Sequence, residues 1–155
     1  MSTIIYRQIE VIVAVDTNAY GGNRALHEEA SFPSPDHTRE WQIDYVTLQI
    51  LPGGSSSTFT VMFYRGSTGL GINDATFSSA MVDLGGLRVD GAVRLSSSDS
   101  VTSPSAGNRI LSVTPPRRIS ISSENRAYKF QTITSGAITP TNAAAKFVIG
   151  LVSGG

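Results

Sequence analysis

Two histidines raise the first chemical question. His27 is followed by Glu28 and Glu29, and His37 follows Asp36, so two imidazoles and three carboxylates fall within eleven positions. Imidazole and carboxylate are ordinary ligands of a divalent metal and ordinary partners in proton transfer. Their spacing matches no established ligand pattern. A metal-dependent, cupin-like enzyme would need His27 and His37 to converge with a carboxylate; the competing reading is a polar loop at a subunit contact. Nothing else in the chain completes a catalytic set. Cysteine is absent, which removes a thiolate nucleophile, a disulfide framework and Cys-based zinc sites. Gly66-Ser67-Thr68-Gly69-Leu70-Gly71 carries three glycines, but no helix pattern opens after it, so the phosphate-binding reading lacks its context. Asp83 and Asp90 are separated by Gly85-Gly86, which leaves no spacing to argue from. The sequence therefore predicts a protein that is not an enzyme, with no catalytic or metal-binding residue and no cofactor.

Binding chemistry offers two further candidates. Trp41 and Tyr45 share one face of a strand pattern and, with Phe59, Phe63 and Tyr64, would form an aromatic platform for a sugar if exposed; Tyr20 is a second candidate lining residue. Core packing competes with this reading of the same aromatics. The cations are ten Arg and two Lys, and Arg is the cation favoured at interfaces. Segment 109–129 is locally basic, with Arg109, Arg117, Arg118, Arg126 and Lys129 against Glu124. Tyr20, Arg24, His27, His37, Arg117 and Arg118 are the expected interface residues. Net charge is zero, which argues against nucleic acid as the main partner.

These groups must be positioned by strands. Residues 40–65 read as strand, Gly-rich loop, strand: Trp41, Ile43 and Tyr45 alternate, then the apolar phase shifts to Val46, Leu48 and Ile50, which predicts a bulge or a strand covered on both faces. Pro52 to Ser57 interrupts, and 58–65 is β-branched and aromatic, so a hairpin is expected as the centre of the core. Strands are also expected at 3–15, 80–84, 87–95, 109–113, 117–122, 125–134 and 146–152. Residues 16–39 read as a long irregular connection, with one or two helical turns at 24–30, residues 96–108 as a mobile Ser-rich loop, and 153–155 as a frayed tail. No internal repeat is visible. The fold expected is one domain over 1–155, all-β, a two-sheet antiparallel sandwich of jelly-roll or Greek-key type with eight or nine strands.

Composition completes the reading. Charged residues are only 15%, while 21 Ser and 14 Thr supply a hydroxyl-rich surface. Such a surface costs little to desolvate against a neighbour. No apolar run is long enough to span a membrane as a helix, and the first residues lack the pattern of a signal peptide. In its Ser/Thr/Gly-rich, Cys-free character, early strand and long early loop, the chain resembles small β-sandwich proteins of phage and virus particles: capsid, capsid-decoration or tail-associated subunits. The resemblance implies a structural protein of the virion, assembled in the host cytoplasm, that associates with itself, commonly as a trimer, and with a larger particle. A carbohydrate- or receptor-binding module is the second expectation.

Overall fold

The computed structural model describes residues 3–50, 58–74, 87–96, 100–101 and 109–154. Eleven strands and no helix occur among them: β1 (Ile5–Ala14), β2 (Arg24–Ala25), β3 (Ala30–Pro33), β4 (Trp41–Ile50), β5 (Phe59–Arg65), β6 (Arg88–Leu95), β7 (Ser100–Val101), β8 (Arg109–Val113), β9 (Ile119–Ile121), β10 (Ala127–Thr134) and β11 (Ala144–Ser153). They form two sheets. One runs β1-β11-β4-β8-β7, with β9 also on β4; the other runs β2-β10-β5-β6, with β3 also on β10. All pairings are antiparallel.

The partners are nested. β1 pairs with β11, β3 with β10, β4 with β8 and β9, and β5 with β6. A chain folded back on itself in four nested antiparallel pairs and rolled into two sheets is a jelly roll. This overturns the hairpin expected at 40–65. β4 and β5 lie in different sheets and are not neighbours. Alternation reports which face of a strand is buried and says nothing about which strand lies beside it.

The phase shift in β4 is a bulge. Tyr45 faces Gly150 and Ile43 faces Leu151, so Asp44 is the extra residue. Ile43 and Val46 are both fully buried on either side of it. The Tyr45 ring lies over Gly150, where even a β-carbon would overlap it. A second bulge sits in β6: Phe63 faces Gly91 and Tyr64 faces Val89, leaving Asp90 unpaired. The expected alternation across 87–95 breaks there, and Val89 turns to solvent while Val93 and Leu95 stay buried. Asp90 then accepts the backbone N–H of Ser122 at 2.9 Å, tying the β6 edge to the opposite sheet.

Three further expectations change. Residues 16–39 contain β2 and β3, and no helix forms at 24–30. Ser153, read as part of a frayed tail, is buried and pairs with Ile5. Of the Ser-rich loop, Ser100 and Val101 form β7, whereas 97–99 and 102–108, like the expected strand at 80–84, lie outside the described residues.

The core lies between the sheets. Trp41, Ile43, Leu48, Phe147 and Ile149 from one sheet meet Phe59, Val61, Phe63, Phe130 and Leu95 from the other. Phe130 is its hub, with ring centroids 5.2 Å from Phe147, 6.1 Å from Phe63 and 6.0 Å from Phe32. Edge-to-face and tilted contacts at these distances add to the burial of the rings themselves.

Candidate functional site

His27 lies inside the sandwich, not on a surface loop. Its ring stands edge-on to Phe130 and Phe147 at 5.3 and 5.4 Å, and only 1% of the residue is exposed. Leu26 and His27 follow β2, whose pairing to β10, continued by the Leu26 N–H bond to the Thr132 carbonyl at 2.7 Å, keeps this segment alongside that strand. Nδ1 lies 2.5 Å from the carbonyl oxygen of Glu28, and Nε2 lies 2.9 Å from Thr132 Oγ1. A carbonyl can only accept, so Nδ1 carries the proton and Thr132 donates to Nε2. Burial, against a smaller opposing effect of the Glu28 carbonyl, drives the pKa down to about 4. Both ring nitrogens are engaged, which leaves no lone pair for a metal. His37 sits apart in the exposed turn beside Asp36, and no group of three or more metal-ligating side chains occurs among the described residues. The His27–His37 site does not form.

A polar cluster adjoins His27. Gln131 Nε2 donates to the carbonyls of His27 and Leu70 at 2.9 and 3.2 Å, and its Oε1 accepts from Thr68 Oγ1 at 2.5 Å. Glu29 Oε1 accepts from the Thr68 N–H at 2.5 Å and lies 3.2 Å from the Thr68 hydroxyl, whose one proton goes to the nearer Gln131 Oε1. Burial opposes the charge of Glu29, yet the Thr68 amide and surrounding hydroxyls outweigh it and hold the carboxyl below its usual range. The cluster fastens segment 66–70 over the outward-facing side of β10. Its bonds run between groups of the chain, so it reads as structural. Sequence reasoning missed it because Gln131 sits with Lys129 on the face of an alternating strand where a polar residue is normally at the surface.

Tyr64 is the exception within this cluster. Its hydroxyl is buried beside Glu29 and Thr68 but meets neither in a well-formed hydrogen bond. Burial first, then the charge of Glu29, pushes its pKa well above the usual tyrosine range. A buried, unpaired hydroxyl costs about 1 kcal/mol or more. Tyr64→Phe is therefore expected to raise stability by about 1 kcal/mol, a Tm gain of roughly 3 °C for a domain of this size; thermal melting checks it, and a lower Tm would show that the hydroxyl contributes a bond.

The remaining expected site residues separate into two groups. Tyr20 and Trp41, expected near a surface, are 1% exposed. Tyr20 donates its hydroxyl to the Leu26 carbonyl at 2.7 Å and accepts the Asp16 N–H at 2.7 Å. The Trp41 indole donates to the Asp36 carbonyl at 3.0 Å. Neither ring offers a face to a ligand, and the half-buried Tyr45 lies on Gly150. Arg24 is half-buried and donates to the Asn73 carbonyl at 3.3 Å. His37, Arg117 and Arg118 are exposed, with Arg118 3.6 Å from Asp44. A cleft of about 290 Å³ runs between β1 and segment 27–31, lined by Val11, Val13, His27, Glu28 and Ser31 among others; that is small for a ligand pocket.

The surface feature that does stand out is an edge. β1 is ten residues long, pairs only with β11 among the described residues, and exposes Tyr6 by 57% and Ile12 by 72%. Ile4, just before it, is 50% exposed.

No family model matches the chain, and no curated protein matches its sequence. Solved structures do align along its length. A Desmodium yellow mottle tymovirus structure is 11% identical over 99% of this chain and 88% of its own, with a TM-score of 0.33. The decameric BFDV capsid protein is 12% identical, over 99% and 98%, at 0.32. The VP2 subviral particle of infectious bursal disease virus is 8% identical, over 99% of this chain and 37% of its own, at 0.34. Likeness this loose leaves the function to be argued from the chain's own surface.

Proposed function

We propose that this chain is a structural subunit of a virion-type particle, a shell or decoration protein, that acts by self-association rather than by catalysis. Jelly rolls serve capsids, lectins and cupins alike, so the fold does not choose among them. The observation that carries the reading is the long exposed edge of β1 with its apolar outward residues. Such an edge is a template for further pairing, and soluble monomers normally blunt it. The low charge, 15% of residues, favours the same outcome because few ions must be desolvated on contact. The two competitors each lose their key residues: the lectin-like reading the exposed faces of Trp41 and Tyr20, the cupin-like reading the convergence of His27 with His37. Beyond any pairing at β1, we favour a trimer built on other surfaces, with His37, Arg117 and Arg118 as contacts to neighbours or to a larger particle. Sedimentation velocity from 1 to 100 µM tests the reading. Species heavier than the 16.4 kDa chain, growing with concentration, are expected; a strict monomer at the top of the range would overturn it.

A further inference from the structure

Among the described residues the sandwich has several strand edges, and all but one carry protection. β6 is bulged at Asp90 and flanked by the exposed Arg88 and Arg94. β2 and β7 are two residues long, and β3 has four residues and ends at Pro33. Bulges, charges, proline and shortness are the usual means of preventing edge-to-edge pairing. β1 is regular over all ten residues, without bulge or proline, and carries two charges, Arg7 and Glu10.

The direction of its backbone groups follows from the register. Val15 N–H donates to the Ala143 carbonyl at 2.9 Å, continuing the pairing in which Ile5 faces Ser153 and Ala14 faces Ala144. In an antiparallel ladder hydrogen-bonded and non-bonded pairs alternate. Odd-numbered residues of β1 therefore bond to β11, and Tyr6, Gln8, Glu10, Ile12 and Ala14 point their N–H and C=O groups away from the sheet. The same even residues project their side chains outward.

Resting on the self-associating reading above, we infer that β1 pairs antiparallel with β1 of a second copy about a twofold axis at Ile9, joining the two six-stranded sheets into one. Three registers bond even residues to even residues near the strand's centre. Centring on Glu10 sets Glu10 against Glu10, and like charges directly opposite repel. Centring on Gln8 sets Tyr6 against Glu10 and leaves Ile12 facing Ile4, beyond the regular strand. Centring on Ile9 sets Tyr6 against Ile12 and Gln8 against Glu10. It covers the two most exposed large apolar side chains with each other, twice by symmetry, and gives the carboxylate an amide donor. The Arg7 guanidinium, 3.0 Å from the Tyr6 carbonyl, occupies one free acceptor and swings aside on pairing. The Glu10–Lys146 ion pair, 3.1 Å within the subunit, lies on the outward face and is retained.

The chain contains no cysteine, so single cysteines report the register directly. Ile9→Cys places two thiols opposite one another on the axis, within disulfide reach. Under mild oxidation of the full chain it is expected to give a covalent dimer on a non-reducing gel, while Gln8→Cys and Glu10→Cys do not. Preferential cross-linking through Gln8→Cys or Glu10→Cys would overturn this register. Gln8→Pro removes an N–H that faces away from β11, a position an edge strand tolerates; its Tm should stay near that of the parent, and self-association through β1 should weaken at least tenfold. Association in sedimentation unchanged by Gln8→Pro would sink the edge contact while leaving the subunit reading intact. A parent chain that is monomeric throughout would sink both.

Discussion

Stability of the subunit is expected to fall by about 3 kcal/mol as the pH is lowered from 7 to 4, with one residue responsible for most of the slope. His27 is neutral in the fold, with a pKa brought down to about 4, against an ordinary value of 6.5. The unfolded chain therefore takes up the proton first. The contribution is fully present above pH 6.5, declines as pH falls through the window between 6.5 and 4, and levels off below it; each pKa unit corresponds to about 1.4 kcal/mol. The structural cause is plain. A proton on Nε2 would face the Thr132 hydroxyl, which now donates to that atom, and the new charge would sit between the rings of Phe130 and Phe147. The measurement is urea denaturation at pH 7, 5.5 and 4.5 on the parent and on His27→Leu. The variant should be less stable at pH 7, since the Glu28 carbonyl and the Thr132 hydroxyl lose a partner, and its profile should be flatter across this window. A parent slope equal to that of the variant would refute the assignment. Glu29, whose carboxyl is held below its ordinary range, loses its contribution only at more acid pH, as it becomes protonated.

Trp41→Ala is expected to be the most damaging single change, at about 4 kcal/mol, or more than 10 °C in Tm. The side chain is fully buried at the start of β4, within reach of Asp36 through its indole N–H and opposite Ile121 on β9. The substitution opens a cavity and leaves the Asp36 carbonyl without its donor. Trp41→Phe keeps most of the volume and should cost less than half as much. If Trp41 instead served a sugar, Trp41→Ala would melt like the parent and the fluorescence of Trp41 would respond to glycans. Both outcomes are contrary to a core role.

The sequence was readable where period two was long enough to count. β1, β4 and β10 follow the alternation of their residues, β5 and β11 their continuous β-branched and aromatic runs, and the phase shift at Tyr45 and Val46, readable as a bulge or as a strand covered on both faces, is the bulge at Asp44. Pairing was not readable. The Gly-rich stretch after Ile50 has the composition of a hairpin turn, yet β4 and β5 belong to different sheets, because composition does not say which strands lie side by side. β2 and β3 were invisible at two and four residues, since neither is long enough to show a period. His27 misled for a different reason. Flanked by Arg24, Glu28 and Glu29, it has the neighbourhood of a solvated loop, and only its bonds to Thr132 and Glu28 allow an imidazole to sit against two phenylalanines. On β1 both faces were legible as residue types, but that the mixed face borders an open edge is a property of the whole topology.

The nesting of the pairs imposes an order on synthesis. β1 leaves the ribosome before the other strands, and its partner β11 begins only at Ala144, about 130 residues later. At ordinary elongation rates that interval is on the order of ten seconds. β5 and β6, the innermost nested pair, and β7 and β8 are close enough in the chain to join without waiting. Until Lys146 to Val152 emerge, β1 has two open sides instead of one, and crowded polysomes bring many such strands together. A nascent-chain binding factor, or simply slow growth, should therefore raise the soluble yield more effectively than any stabilisation of the finished fold.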